Sequence, residues 1–166
     1  IAAAIEKASK RPPVVWLNFA SDSGCTEALV KATYPNAADL VLDILSIDYN
    51  ETIMAAAGKQ SEEIREKSRK EGGYILIVEG GVPTKKGHGM TAGKEMLDIL
   101  KEMAPPAVAV IAVGSCATFG GVPAAKPNPS QIPPAIAIIF LTWGTLVTPG
   151  CTACGSIFQF KLICNV

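Results

Sequence analysis

The chain has 166 residues, 49% apolar and 18% charged, so it can bury one sizeable core and is drier than an average soluble domain. Its 15 basic and 15 acidic residues give a net charge of zero, which argues against a dedicated nucleic-acid-binding protein, so no nucleic-acid partner is expected. Five cysteines cannot all pair, and their spacing does not resemble a small disulfide scaffold. The low charge content favours a sheet that is buried on both faces, or a surface that largely meets a partner.

Apolar β-branched runs alternate with helical patterns along most of the chain. Residues 1–10 are predicted to form a short helix or a tail. Strands are predicted at residues 14–19, 40–47, 74–78 and 107–113, and helices at residues 26–33, 51–71 and 93–103. Residues 136–141 fit a buried helix or a strand equally well, and residues 146–148 are predicted to form a last short strand.

Strands that are almost wholly apolar and alternate with helices predict an α/β fold, in which a parallel sheet is covered by helices on both faces. Functional groups in such sheets gather outside the carboxyl ends of the strands. Asp22 with Cys25, then Glu79, and then Cys116 each follow a predicted strand. These side chains are therefore expected to share one edge of the sheet.

Three widely separated cysteines lie next to a glycine or one residue from it, and each follows an apolar run: Cys25, Cys116 and Cys151. The segment 114–121 around Cys116 is predicted to be a loop, because its glycines and the prolines after it disfavour helix and sheet. Thiolates are soft ligands that suit zinc or iron–sulfur clusters. The pattern predicts one site that is assembled from three loops.

Three other roles for the cysteines stay open at this point. A zinc site would show two close ligand pairs, whereas only Cys151 and Cys154 are close, and the one histidine, His88, lies in a lysine-rich loop and is expected at the surface. A redox dithiol at the same pair would normally follow the first strand of its domain. The third alternative is a set of buried structural thiols, and this role is expected for Cys154 and Cys164.

Several short motifs resemble, in order, the small subunit of nickel–iron hydrogenases. The resemblance extends from about residue 11 to residue 130 and returns at residues 149–151. The motifs are RPPVVWL at 11–17, SGCTE at 23–27, ETIMAAAG at 51–58, VEG at 78–80, GSCA at 114–117, AAKPNP at 124–129 and PGC at 149–151.

This resemblance implies an electron-transfer subunit with a flavodoxin-like domain that holds one proximal 4Fe–4S cluster. Cys25, Cys116 and Cys151 match three of the four ligands of that cluster. The first family motif typically has a cysteine three residues before Cys25, where this chain has Asp22. Asp22 could ligate iron through oxygen, which would alter the potential and the lability of the cluster, or it could cap the helix that follows.

Glu79 matches an acidic residue that lies near the proximal cluster in the family. The resemblance implies a proton path or a hydrogen-bond acceptor beside the ligands, and a solvated loop carboxylate is the plain alternative. Trp16 and Asn18, on the first predicted strand, are expected only to line the site.

The resemblance also implies partners and a location. The nickel–iron centre belongs to a separate large subunit, so this chain is expected to be part of a heteromeric oxidoreductase that acts on hydrogen. A dimer of heterodimers and a downstream electron acceptor are further expected partners. A periplasmic or membrane-associated location is expected, and a cytoplasmic one stays open.

Residues 1–166 are expected to form a single flavodoxin-like iron–sulfur domain, without the C-terminal domain that carries further clusters in the family. Two alternative functions remain. One is the cluster-bearing subunit of a quinone-reducing respiratory complex, whose first motif has adjacent cysteines that are absent here. The other is a flavodoxin-like domain that binds a flavin phosphate through Ser21, Ser23 and Thr26.

Overall fold

A computed structural model describes residues 11–134. Four parallel strands form the central sheet in the order β2-β1-β3-β6, and β4 pairs with β5 in a short antiparallel hairpin. The strands are β1 (Pro13–Asn18), β2 (Ser46–Asn50), β3 (Ile75–Glu79), β4 (Met90–Thr91), β5 (Lys94–Glu95) and β6 (Ala109–Val113).

Four α-helices connect or follow these strands. A π-helical segment at Asp39–Ile44 and a 3-10 turn at Val122–Ala124 lie between them. The helices are α1 (Gly24–Val30), α2 (Lys59–Glu71), α3 (Met96–Met103) and α4 (Gly114–Phe119). No helix in the range 11–134 is long and apolar enough to cross a membrane.

The sheet has two faces with different surroundings. Val15 and Leu17 on β1 belong to the main apolar core, together with Leu100 on α3. Since crossovers between parallel strands are right-handed, the connection from β1 outward to β2 lies on the opposite face from the two connections that lead back through β3 to β6. Helices therefore cover both faces, and the strand order matches the flavodoxin-like pattern, which confirms the predicted α/β fold class.

The predicted strand at residues 40–47 is wrong in most of its length. Asn36 and Asp39 exchange side-chain hydrogen bonds with each other's backbone amides, at 3.0 and 3.2 Å, and so start a helical turn. Leu42 within this segment is 66% exposed, so the apolar run does not mark a buried strand. Strand β2, which pairs with β1, begins only at Ser46.

The predicted helix at residues 51–71 begins eight residues late. Asn50 Oδ1 accepts hydrogen bonds from the backbone amides of Thr52 and Ile53 at 2.8 and 3.2 Å, and this holds a turn at the end of β2. Gly58 has a φ of 60°, and α2 starts at the next residue. The helix ends at Gly72, as the sequence predicts.

The predicted loop at residues 114–121 is also wrong, because Gly114–Phe119 forms the short helix α4. The glycines lie at its two ends, where Gly114 and Gly120 have φ values of 79° and 84°. Thr118 Oγ1 donates a hydrogen bond to the Gly114 carbonyl at 2.8 Å and closes the turn. The predictions for residues 1–10, 136–141 and 146–148 lie outside the described residues.

Candidate functional site

The candidate site lies at the carboxyl edge of the sheet. Cys25 is on α1 just after β1, Glu79 is the last residue of β3, and Cys116 is on α4 just after β6. The chain leaves β1 in one direction toward β2 and returns on the other side to β3, which makes a topological switch point. The structure thus brings three of the predicted site residues to the place where such sheets bind ligands.

The thiol of Cys25 rests directly on Gly114. A Cβ atom built on Gly114 would lie 2.3 Å from Cys25 Sγ, far inside van der Waals contact. Gly114 also has a φ of 79°, a left-handed conformation that glycine adopts without strain. The first turn of α1 and the start of α4 therefore meet through a thiol and a glycine.

Cys116 is packed against a second glycine. A Cβ atom on Gly121 would lie 3.1 Å from Cys116 Sγ and equally close to its backbone nitrogen and Cα. Both described cysteines are free thiols and partly exposed. Each sulfur therefore occupies space that the side chain of a larger residue would take.

Burial is the main cause that raises the pKa of the Cys25 thiol, and the charges of Glu79, Cys116 and Asp22 raise it further. Glu79, Cys116 and Asp22 are therefore near enough to the Cys25 thiol to disfavour its ionised form. Thiolate ligation to a cation would reverse this penalty, because the thiolate is the form that binds metals. The arrangement favours a positively charged occupant.

Asp22 is exposed, and its Oδ1 accepts a hydrogen bond from the backbone amide of Gly24 at 2.9 Å. The same oxygen lies 2.9 Å from the position that a Gly24 Cβ would take. Asp22 therefore shapes the turn that leads into α1. It is also close enough to Cys25 to raise the pKa of that thiol.

Glu79 is only 1% exposed, so the alternative of a solvated loop carboxylate is wrong. Its Oε2 accepts hydrogen bonds from Trp16 Nε1 at 2.9 Å, Asn18 Nδ2 at 2.9 Å and Thr26 Oγ1 at 2.6 Å. Its Oε1 accepts a fourth from the backbone amide of Cys25 at 3.1 Å. Four donors compensate for the burial of the carboxylate.

Trp16 and Asn18 do more than the sequence predicts, since both donate to Glu79. Register explains why: Trp16 pairs with Ile77 and Asn18 with Glu79, so these β1 side chains and the carboxylate share one face of the sheet. The signal in the sequence is the spacing of two polar-headed residues on alternate positions of an otherwise apolar strand.

The loops after β1 and β3 are joined by backbone hydrogen bonds. Ala20 and Gly81 form an antiparallel bridge with two bonds of 3.0 Å. Gly80 makes this approach possible, because a Cβ there would lie 2.7 Å from the carbonyl carbon of Ala20. The bridge fixes Glu79 relative to the start of α1.

Of the hydroxyl groups that could bind a flavin phosphate, Thr26 already donates its hydrogen to Glu79, and Ser21 and Ser23 accept hydrogen bonds. Ser21 Oγ accepts from the Ser23 amide at 3.2 Å, Thr52 Oγ1 donates to Ser23 Oγ at 3.2 Å, and Thr26 donates to Glu79. A phosphate at this loop would also face the buried carboxylate of Glu79. The geometry disfavours the flavin alternative.

The remaining predicted residues fall into two groups. His88 is exposed, as predicted, and lies 3.3 Å from Ser130 Oγ. Cys151, Cys154 and Cys164 lie outside the described residues. Among residues 11–134, no three His, Cys, Asp or Glu side chains are gathered closely enough to hold a metal ion by themselves.

A family model described as NADH ubiquinone oxidoreductase, 20 Kd subunit, matches residues 23–160. The periplasmic NiFe hydrogenase small subunit of Solidesulfovibrio fructosivorans is 47% identical over 127 residues, which is 75% of this chain and 40% of that protein. The hydrogenase-2 small chain of Escherichia coli strain K12 is 41% identical over 125 residues, which is 73% of this chain and 34% of that protein. The chain thus spans less than half the length of these curated relatives.

A similar solved structure is the recombinant NiFeSe hydrogenase from Desulfovibrio vulgaris Hildenborough in the oxidised state. It aligns with a TM-score of 0.74 and 34% identity, and covers 84% of this chain and 52% of that one. The resemblance that the sequence motifs predict is confirmed. The chain belongs to the family of the NADH ubiquinone oxidoreductase 20 Kd subunit, and its relatives include the small subunits of two periplasmic NiFe hydrogenases.

Proposed function

We propose that this chain is the electron-transfer small subunit of a nickel–iron hydrogenase and holds one proximal 4Fe–4S cluster. The observation that carries the proposal is the meeting of Cys25 and Cys116, each set against a glycine, at the switch point of the sheet. The proposed ligands are Asp22, Cys25, Cys116 and Cys151.

The described residues fit such a cluster in two respects. The absence of a side chain at Gly114 and Gly121 lets the two thiols lie against the backbone, where a Cβ would otherwise displace them. Thiolates are the usual ligands of iron–sulfur clusters, and a bound cluster supplies one-electron transfer. This chain's own contribution is to hold the sulfurs in place, to exclude water and to set the surrounding charge.

Asp22 is proposed as the fourth ligand through a carboxylate oxygen. It lies in the turn that carries Cys25, and its charge acts on that thiol. Capping is compatible with ligation, because a carboxylate has two oxygens and several lone pairs. Replacement of a thiolate by a harder oxygen donor should change the potential of the site.

Glu79 is proposed to act beside the ligands rather than as one of them. Its Oε1 accepts the backbone amide of Cys25, so it contacts a proposed ligand directly. Membership of a proton path is the second role proposed for Glu79.

The partner is proposed to be a hydrogenase large subunit that carries the nickel–iron centre. The described chain exposes Phe119, the last residue of the Cys116 helix, and Val122, which follows that helix, and these apolar side chains favour a protein partner at this edge. A dimer of heterodimers and a downstream acceptor stay predictions. The names of two relatives favour a periplasmic location, and membrane association remains a prediction.

We also propose that residues 1–166 form a single domain. The range 11–134 already contains the four-stranded central sheet and one apolar core, and the family match extends past it to residue 160. A second function has one supporting observation, which is that the family model is described by a respiratory-complex subunit. The hydrogenase relatives, at 41–48% identity, favour the first function.

The test uses the chain purified with its partner. Iron and acid-labile sulfide should be present in the wild-type complex, nickel should be present in the partner, and Cys25→Ala and Cys116→Ala should each lose most of the iron. Cys164→Ala is the matched control and should retain it. Unchanged iron content in both ligand variants would rule out the site, and a partner without nickel would favour the respiratory function.

A further inference from the structure

The most completely hydrogen-bonded buried side chain in the described structure is Glu79, and its two oxygens are treated differently. Oε2 receives three side-chain donors, from Trp16, Asn18 and Thr26. Oε1 receives the backbone amide of Cys25. One end of the carboxylate is fixed by the sheet and α1, while the other end holds the peptide that precedes a proposed ligand.

Thr26 is central to this arrangement. It is completely buried, and its hydroxyl donates the shortest of the four hydrogen bonds, at 2.6 Å. The same hydroxyl oxygen lies 3.3 Å from Asn18 Nδ2, which donates to it. Because a hydroxyl has one hydrogen, accepting from Asn18 leaves that hydrogen for Glu79.

Asn18 shows that the network is built around the carboxylate. Its Nδ2 serves both Glu79 and Thr26, whereas its buried Oδ1 finds no partner among residues 11–134. The opposite amide orientation would place Oδ1 against the carboxylate oxygen, where two acceptors repel.

We infer that Thr26 is a positioning residue for Cys25, acting through Glu79. Thr26, Trp16 and Asn18 fix Oε2, the fixed carboxylate holds the Cys25 amide through Oε1, and the amide sets where the Cys25 sulfur stands. The inference rests on the proposed function, since its consequence is read at a cluster that Cys25 binds. The proposed role of Thr26 is to orient the Cys25 sulfur and to compensate the charge of Glu79.

The loss of the Thr26 hydroxyl has two expected effects. The Glu79 carboxylate gains freedom, so the sulfur of Cys25 is held less tightly. The negative charge of the Glu79 carboxylate is also compensated by one donor fewer. More uncompensated negative charge beside a cluster disfavours the added electron. The midpoint potential should therefore become more negative.

The test compares variants in the purified heteromeric complex. Thr26→Val keeps the shape and removes the donor, Thr26→Ser restores the donor, and Trp16→Phe removes a different donor to the same oxygen. Tyr74→Phe is the matched control, because Tyr74 Oη donates a buried 2.6 Å hydrogen bond to the Met103 carbonyl in the main core, away from the site. The readouts are iron content, the electron paramagnetic resonance spectrum and the midpoint potential.

The expected result is unchanged iron content, with an altered spectrum and a more negative potential in Thr26→Val, return toward wild type in Thr26→Ser, and no shift in Tyr74→Phe. If Thr26→Val does not fold, Trp16→Phe must show the shift. Wild-type spectrum and potential in the folded donor variants, or an equal shift in Tyr74→Phe, would overturn this inference alone. Absence of iron and sulfide from the wild-type complex would instead overturn the proposed function, and this inference with it.

Discussion

At the scale of single residues, Gly114 combines a left-handed backbone with a contact to the Cys25 sulfur. Gly114→Ala should lower the free energy of unfolding by about 1–2 kcal/mol through backbone strain alone. It should also displace Cys25 Sγ, since the new Cβ would lie 2.3 Å from it, and so lower the iron content of the complex. Urea unfolding and an iron assay measure the two effects.

The matched control for this variant is Gly87→Ala. Gly87 has the same φ of 79°, but a Cβ there meets nothing within 4 Å. The two variants should therefore lose similar stability, while only Gly114→Ala should lose iron. Equal iron content in both would mean that the Gly114 contact does not position the thiol.

Glu51 supplies a pH dependence that is separate from the candidate site. Burial is the largest cause that raises its pKa from 4.5 to about 7, and the hydrogen bond from Tyr49 and the charge of Arg65 oppose the rise. A carboxyl with a raised folded-state pKa stabilises the fold fully below the unfolded value, and this contribution is lost as the pH rises through the folded value. Stability should therefore decrease between about pH 4.5 and pH 7.

Glu51→Gln should flatten this dependence, because glutamine cannot ionise and its carbonyl can still accept from Tyr49. The exposed Glu63, on α2, gives the control variant Glu63→Gln, which should keep the slope of the wild type. The measurement is the free energy of unfolding as a function of pH. A wild-type slope that survives in Glu51→Gln would assign the dependence to another group.

The residues of the candidate site were partly predictable. Cys25, Glu79 and Cys116 follow from the rule that ligands gather at the carboxyl ends of parallel strands. The donors to Glu79 did not follow, because their convergence depends on the register of β1 against β3, and a register shift of one residue would turn Trp16 to the other face. Sequence patterns predict the order of helices and strands better than they predict the register between paired strands.

At the scale of elements, the bridge between the loops after β1 and β3 depends on Gly80. Its φ is 89°, and a Cβ there would lie 2.7 Å from the Ala20 carbonyl carbon, which is backbone and cannot rotate away. Gly80→Ala should therefore cost more than the roughly 1–2 kcal/mol of left-handed strain. Gly73 has a similar φ of 74°, and a Cβ there would meet nothing within 4 Å. Gly73→Ala should therefore show the cost of the backbone strain alone.

Chemical denaturation of both variants checks this difference. A cost for Gly80→Ala no larger than that for Gly73→Ala would mean that the two loops can separate easily. The larger cost is expected because Ala20 and Gly81 would lose both hydrogen bonds of their bridge.

The elements that sequence patterns missed share a physical cause. The segment Asp39–Ile44 and the turn after Asn50 are both set by side chains that bind nearby backbone amides, and such local bonds compete with the pattern of apolar residues. The glycine content around Cys116 predicts a loop, but the glycines lie only at the ends of helix α4 and therefore do not interrupt it. Strands β1 and β6 lie within two residues of their predicted bounds, because each is a short apolar run that ends at polar or glycine residues.

At the scale of the whole molecule, the two ends of β6 carry exposed apolar residues in different settings. Val108, before the strand, is 60% exposed at the amino edge of the sheet. After the strand, Phe119 at the end of the Cys116 helix is 62% exposed and Val122 just beyond that helix is 86% exposed. Single exposed apolar residues are common on protein surfaces. Phe119 and Val122 gain a functional meaning only because they lie next to the candidate site.

If this edge meets the large subunit, the double variant Phe119→Asp with Val122→Asp should reduce recovery of the partner about tenfold or more, because burial of each apolar side chain would contribute about 1.5–3 kcal/mol. Val108→Asp adds a charge at the opposite edge and should leave recovery unchanged. Co-purification of the partner through a tag on this chain measures the effect, with circular dichroism as the check that each variant is folded. Full recovery with the folded double variant, or an equal loss with Val108→Asp, would place the interface elsewhere on the molecule.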